Sequence, residues 1–282
     1  MDNQTVLTGL FGLPVGQSMS PDMHNAAFRQ LGLNFAYMAF AVERDQLRTA
    51  VEAIRALSVR GVNVTIPHKV AVMEFLDDID PEALSIGAVN TIVNDNGKLL
   101  GYNTDGRGYV RSLVEETQVS LKDKRILIVG AGGAARAVGV SLAREGVKQI
   151  TVANRSVEKA KELSDHLAHY VSSSMSTPLS ECRDLYEVDI VINTTSVGMY
   201  PDMDHTPIPK ESLHPNLLIS DLIYNPFQTK LLKEGQEIGA TTHNGLGMFV
   251  HQGALAFELW TGRQAPIDLM RTTVEQRLAS KK

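Results

Sequence analysis

The sequence predicts a two-domain α/β fold built on mostly parallel sheets. Three observations carry this. Strand-like apolar runs alternate with helix-like segments along most of the chain, the order that lays helices over a parallel sheet. The run Ile126 to Val129 is apolar at every position, as a strand buried on both faces requires. The length of 282 residues is close to twice the roughly 150 residues of an average domain.

The elements follow in order. Val6 to Leu13 reads as a strand, and Ser20-Pro21 opens a helix to Leu31, with Ser20 as N-cap and Pro21 at the first helical position. A strand at Phe35 to Ala41 precedes a helix from Arg44 to Leu57, where Leu47, Val51, Ile54 and Leu57 fall at helical spacing. Val62 to Ile66 is a short strand stopped by Pro67, and Lys69 to Leu76 reads as helical. Ala88 to Asn94 and Lys98 to Tyr102 flank Asp95-Asn96-Gly97, and Asn-Gly is a strong hairpin signal. A helix over Gly106 to Glu116 leads through the charged Lys122-Asp123-Lys124 to the strand Arg125 to Val129. Next come a helix to Glu145, a strand Gln149 to Ala153, a helix Val157 to Tyr170, strands Ile190 to Asn193 and Leu217 to Ser220, and a helical tail Gly247 to Leu278. Residues 1–104 and 242–282 are expected to form one domain and residues 105–241 the other. The tail is too short to fold alone and is expected to pack on a domain already formed.

Composition excludes several classes. The 27 Lys+Arg against 32 Asp+Glu leave a net charge of −5, so no basic face for nucleic acid is expected. A chain 43% hydrophobic and 21% charged is ordinary for a folded globular protein. No apolar run reaches the roughly 18 residues of a membrane span, and Met1-Asp2-Asn3-Gln4 lacks the basic start of a signal peptide. A cytoplasmic protein, monomer or homodimer, is the expectation. The single cysteine, Cys182, rules out an internal disulfide. His166 and His169 share a helix face without a third ligand nearby, so no metal is expected.

The sharpest local motif is Gly130-Ala131-Gly132-Gly133-Ala134-Ala135, directly after the Ile126–Val129 strand and before an Ala-rich helix. Strand, Gly-rich turn and helix together are the Rossmann dinucleotide fingerprint: the glycines let backbone approach a pyrophosphate, and the helix N-terminus offers N–H groups to it. The next strand ends in Asn154-Arg155-Ser156 with no carboxylate at its tip. An acid there would accept from a ribose 2′-OH, whereas a guanidinium pairs with a 2′-phosphate. NADP is the expected cofactor. In the N-terminal half, Ser18 and Ser20, then Thr65, His68 and Lys69, then Asn90-Thr91, and then Asn103-Thr104-Asp105 stand where strand ends should meet. Hydroxyls, amides, an amine and a carboxylate at that edge suit a small polyol.

The strings Gly12-Leu-Pro-Val-Gly-Gln-Ser-Met-Ser-Pro-Asp-Met-His-Asn25, Asn63-Val-Thr-Ile-Pro-His-Lys69, Gly87-Ala-Val-Asn-Thr91 and Gly101-Tyr-Asn-Thr-Asp-Gly106 resemble shikimate dehydrogenases. So do Asn193-Thr-Thr-Ser-Val-Gly-Met199, Asp221-Leu-Ile-Tyr-Asn-Pro226 and Asn244-Gly-Leu-Gly-Met248 with Gln252. The resemblance implies reversible oxidation of shikimate to 3-dehydroshikimate with NADP, a CH–OH oxidoreductase step of aromatic amino acid biosynthesis, with the C-terminal helices back on the first domain. By similarity Lys69 and Asp105 flank the reacting C3 oxygen. Ser18 and Ser20 hold the substrate carboxylate, and Thr65, Asn90, Tyr224 and Gln252 contact the ring substituents or carboxylate. Gly130, Ala131, Gly132, Gly133 and Ala134, with Asn154, Arg155, Ser156 and Lys159, bind NADP, and Leu222 and Gly245 stand near the nicotinamide.

Lys159 stands where this family often has arginine, keeping the charge but losing the bidentate fork. Tyr200 to His205 matches the family loosely and is assigned no role. Two alternatives remain open at this level: a quinate/shikimate dehydrogenase that also uses NAD, and a catalytically silent sensor of NADP(H) or shikimate.

Overall fold

The computed structural model describes residues 1–280. The chain forms two compact units, one of Met1–Thr104 together with the segment from Val250 on, the other of Asp105–Phe249.

The first unit holds a six-stranded mixed sheet. Its strands are β1 (Val6–Gly12), β2 (Phe35–Ala41), β3 (Gly61–Val64), β4 (Asp78–Ile79), β5 (Thr91–Asp95) and β6 (Lys98–Tyr102), in the order β2-β1-β3-β5-β6-β4. β1 runs parallel to β2 and β3, and β4 to β6, while β5 is antiparallel to both its neighbours. The β5–β6 hairpin closes with Asp95 opposite Lys98, and Asn96 and Gly97 take φ of 52° and 94°, the left-handed pair that a two-residue turn demands. Helices α1 (Ser20–Gln30), α2 (Leu47–Ala56) and α3 (Pro81–Ile86) complete the N-terminal part. The side chains of Val51, Ile54, Val62, Val64, Val72, Ile92 and Leu99 form one buried cluster, so the apolar face of α2 covers the sheet.

Ser20 is the first helical residue of α1 and not its cap; the cap position is Met19, and the Ser18 hydroxyl accepts from the Ser20 N–H at 3.2 Å. The segment expected as a helix from Lys69 is a 3₁₀ turn over Ala71–Phe75. Helix α3 was not expected, although its signals stand in the sequence. Asp80 caps it by accepting from the Glu82 N–H, Pro81 starts it, and Gly87 ends it at φ 72°.

The second unit holds a fully parallel sheet of β7 (Arg125–Val129), β8 (Gln149–Asn154), β9 (Ser174–Pro178), β10 (Ile190–Asn193), β11 (Leu218–Asp221) and β12 (Thr241–His243), ordered β12-β11-β10-β7-β8-β9. Its helices are α4 (Asp105–Thr117), α5 (Gly133–Arg144), α6 (Val157–Leu167) and α7 (Lys230–Glu237). The strands β9 and β12 and the helix α7 were not expected. β9 is a polar edge strand, β12 spans three residues, and α7 carries Gly235 where it packs on Ile219; none offers a long periodic signal.

The tail forms α8 (Leu246–Thr261) and α9 (Ile267–Ala279), separated at Gly262, which has φ 65°. The return to the first unit falls inside α8, between residues 249 and 250, and not at 242. The reason is β12, whose Thr241, Thr242 and His243 pair with Leu218, Ile219 and Ser220 of β11. Within the first unit, α9 packs on α1, Arg277 meets Asp22 at 3.2 Å, and the Trp260 indole donates to the Ile92 carbonyl at 3.0 Å.

Candidate functional site

In the first unit the predicted polar residues meet at one sheet edge. β1, β3 and β6 end there, and β5 begins there because it runs antiparallel; Asn90 therefore precedes a strand that Thr91 opens, where a purely parallel sheet would have the pair follow one. Asn90, 2% exposed, is the centre of a hydrogen-bonded chain. Its Oδ1 accepts from the Thr104 N–H at 2.8 Å and the Thr91 hydroxyl at 2.9 Å, and its Nδ2 donates to Thr104 Oγ1 at 3.0 Å. The Thr104 hydroxyl also donates to the Gln252 carbonyl at 3.0 Å. Asn63 Nδ2 donates to Thr91 Oγ1 at 3.0 Å, and Asn63 Oδ1 accepts from the Tyr37 hydroxyl at 2.8 Å. Tyr37 in turn hydrogen-bonds the Ser20 side chain. Ser20, Asn90 and Gln252, from three distant stretches, are thus joined through Tyr37, Asn63, Thr91 and Thr104.

The Thr65–Lys69 stretch is stitched to the same edge. The Thr65 N–H donates to the Phe11 carbonyl at 2.9 Å, and the Lys69 carbonyl accepts from the Val89 N–H at 2.8 Å. His68 is buried with Nε2 2.7 Å from the Val42 carbonyl, a strut for the turn that presents Lys69. His24 stacks on Tyr37 with centroids 4.4 Å apart, and its burial pulls the imidazole down to about 3. It is therefore a neutral aromatic wall behind the network.

In the second unit the Gly-rich loop has the shape a dinucleotide needs. Gly130 sits at φ 110° and a side chain there would press on Thr194 Oγ1 at 2.5 Å, so only glycine fits. Gly132 caps α5, and nothing lies within 4 Å of where side chains on Gly132 or Gly133 would begin. Backbone is thereby open to a ligand in front of first-turn N–H groups that lack intrahelical acceptors. At the end of β8, Asn154 Nδ2 donates to the Ser156 carbonyl at 3.1 Å, and the Ser156 hydroxyl caps α6 by accepting from the Lys159 N–H at 3.4 Å. Arg155 borders a hollow of about 450 Å³ with Pro178, Leu179, Cys182, Arg183 and Pro207. Burial pushes the Cys182 thiol up to about 11, so it stays protonated.

Further along the same sheet, Asp221 accepts from Asn193 Nδ2 at 3.1 Å, the Ile223 N–H at 3.1 Å and the Thr229 hydroxyl at 2.8 Å. Burial raises this carboxyl to about 6 against the pull of those three donors. The Leu222 N–H donates to the Asn193 carbonyl, the Gly245 N–H to the Ile223 carbonyl, and a side chain on Gly245 would run into the Leu222 carbonyl. Leu222 and Gly245 are thus adjacent. Tyr224 packs on Phe249 at 5.1 Å between centroids.

Of the expected substrate residues, Ser18, Ser20, Thr65, Asn90 and Gln252 lie in the first unit with Lys69, while Tyr224 lies in the second, which Asp105 opens as the first residue of α4. Sequence reasoning missed Tyr37, Asn63 and Arg183. Asn63 sits inside a string already singled out, but Tyr37 and Arg183 carry no local signal, because only the pairing of β1 with β2 and of β8 with β9 brings them in.

Three family profiles match this chain. "Shikimate dehydrogenase substrate binding domain" covers residues 10–92, "Shikimate / quinate 5-dehydrogenase" residues 112–201, and "Shikimate 5'-dehydrogenase C-terminal domain" residues 245–275. The shikimate dehydrogenase (NADP(+)) of Geobacillus sp. strain WCH70 is 54% identical over 273 residues, spanning 96% of this chain and 98% of that protein. A crystal structure of a shikimate dehydrogenase in complex with NADP+ has a TM-score of 0.93 at 45% identity, covering 99% of this chain and 97% of the other. The Thermus thermophilus enzyme in complex with NADP(H) and shikimate has a TM-score of 0.88 at 35% identity, covering 96% and 99%.

Proposed function

The chain belongs to the shikimate dehydrogenase family, and from that premise we infer that it interconverts shikimate and 3-dehydroshikimate with NADP. The observation that carries the reading is the pairing, in one chain, of a buried amide–hydroxyl network at one sheet edge with an open Gly-rich βα loop. The first suits a polyhydroxylated ring and the second a pyrophosphate. Close relatives named for NADP support this reading over a quinate- and NAD-using one.

Bound NADP supplies the hydride acceptor in one direction and the donor in the other. The rest falls to the chain. Ser18 and Ser20 hold the substrate carboxylate through hydroxyls, with no cation required. Thr65, Asn90, Tyr224 and Gln252 hold the ring substituents. Oxidation at C3 releases a proton from the hydroxyl as the hydride leaves the carbon, and Lys69 and Asp105 take and return that proton as a pair. Lys69 as a cation also stabilises negative charge on the C3 oxygen. Gly130 to Ala134 receive the pyrophosphate, Asn154, Arg155, Ser156 and Lys159 the 2′-phosphorylated ribose, and Leu222 and Gly245 border the nicotinamide. Both ligands are anions and the protein carries −5, so binding depends on these placed groups and not on net charge. The reading includes work in the cytoplasm as a monomer or homodimer; among the described residues no helix is long and apolar enough to cross a membrane.

The test is absorbance at the NADPH band with shikimate, quinate or buffer, each with NADP and with NAD. Shikimate with NADP is expected to dominate in kcat/KM. Comparable rates with quinate or with NAD would overturn the specificity, and binding without turnover would restore the silent sensor.

A further inference from the structure

The hollow beside Arg155 contains more charge than the Asn-Arg-Ser motif accounts for. Arg155 follows β8 and Arg183 follows β9, and these strands are paired with Asn154 opposite Pro178. The two arginines therefore line one hollow from neighbouring strand ends, the side on which open parallel sheets bind ligands. Elsewhere in the unit, Arg111, Arg125 and Arg136 meet carboxylates at 2.7, 3.8 and 3.1 Å. Arg155 and Arg183 have no carboxylate partner among the described residues. Glu181 and Asp184, which flank Arg183 in the chain, are not in the lining. Glu158, the acid closest in sequence to Arg155, accepts from the Ser156 hydroxyl at 2.8 Å.

Two arginines that border one hollow without a carboxylate partner favour an anion there, even though both are exposed and screened by solvent. The Arg183 Nε donates to the Ser180 carbonyl at 3.3 Å, which leaves both terminal nitrogens without a protein acceptor among the described residues. Pro178, Leu179 and Pro207 supply apolar walls, suited to the flat face of a purine. We propose that Arg183 is a specificity-determining residue, a second guanidinium on the 2′-phosphate of NADP that supplies the bidentate fork Lys159 cannot. This rests on the NADP reading above and adds to it a residue outside the β8 turn.

The test is calorimetry on the full chain with 2′,5′-ADP and 5′-AMP as probes. The unaltered protein is expected to bind 2′,5′-ADP more tightly. Arg183→Ala should raise the Kd for 2′,5′-ADP about tenfold, the scale of one lost charge-assisted hydrogen bond, and leave 5′-AMP within about twofold. Arg183→Lys should recover part of the loss, and the salt dependence of 2′,5′-ADP binding should flatten in Arg183→Ala. An unchanged 2′,5′-ADP affinity, or an equal loss for both probes, overturns the proposal. Arg155→Ala separates the two levels. If it weakens 2′,5′-ADP while Arg183→Ala does not, the cofactor reading stands and Arg183 falls; if the unaltered protein treats both probes alike, the cofactor reading falls and Arg183 with it.

Discussion

Replacing Asn90 by alanine probes the network at its most connected point. The Asn90 side chain is the acceptor for the Thr104 N–H at 2.8 Å and the Thr91 hydroxyl at 2.9 Å, both in buried residues. Alanine leaves two buried donors without that acceptor, and each such group costs about 1–3 kcal/mol. A loss of about 2–6 kcal/mol in the stability of the first unit is expected. Urea denaturation followed by tryptophan fluorescence reads that unit specifically, because the only tryptophan of the chain, Trp260, is buried in it. Thr104→Val removes the hydroxyl that accepts from Asn90 Nδ2 at 3.0 Å. The double variant should therefore lose less than the two single losses added, by more than about 0.5 kcal/mol. Activity supplies a second readout: the KM for shikimate should rise in Asn90→Ala protein that is still folded. A stability loss under about 1 kcal/mol, or strictly additive losses, would refute the network argument; a large stability loss with unchanged KM would make Asn90 scaffold alone.

Lys69→Ala should lower kcat by at least about a hundredfold, the low end for a positioned acid–base group, with KM for shikimate within a few-fold; a mild kcat loss with a large KM rise would make Lys69 a binding residue only. Asp221 gives a pH signature. Its folded value lies near 6 against 3.8 for the free group, so its contribution to stability is complete below about pH 4 and is lost as pH rises through about 6. Relative to Asp221→Asn, the unaltered protein should lose about 3 kcal/mol across that window, read by urea titrations followed by circular dichroism, and a gap that stays constant from pH 4 to above 6 contradicts the assignment.

Much was legible in the sequence. The Ile126–Val129 run before Gly130-Ala-Gly-Gly needs no tertiary information, since strand burial and a turn that only glycine can make are local demands. The Asn96-Gly97 hairpin and the Asn154-Arg155-Ser156 turn are of the same kind. The elements that escaped are short or polar, such as β9, β12 and α7, where too few residues repeat to make a pattern.

What the sequence determined by itself is therefore the set of local conformations and the chemistry each string can offer. Tertiary structure decided which strings meet. The antiparallel course of β5 turns Asn90 into the link between Asn63 and Thr104, and the pairing of β12 with β11 keeps Thr241 to His243 in the second unit. The pairing of β8 with β9 sets Arg183 beside Arg155. Each of these depends on strand order and direction, which arise from contacts between residues far apart in the chain and leave no trace in local spacing.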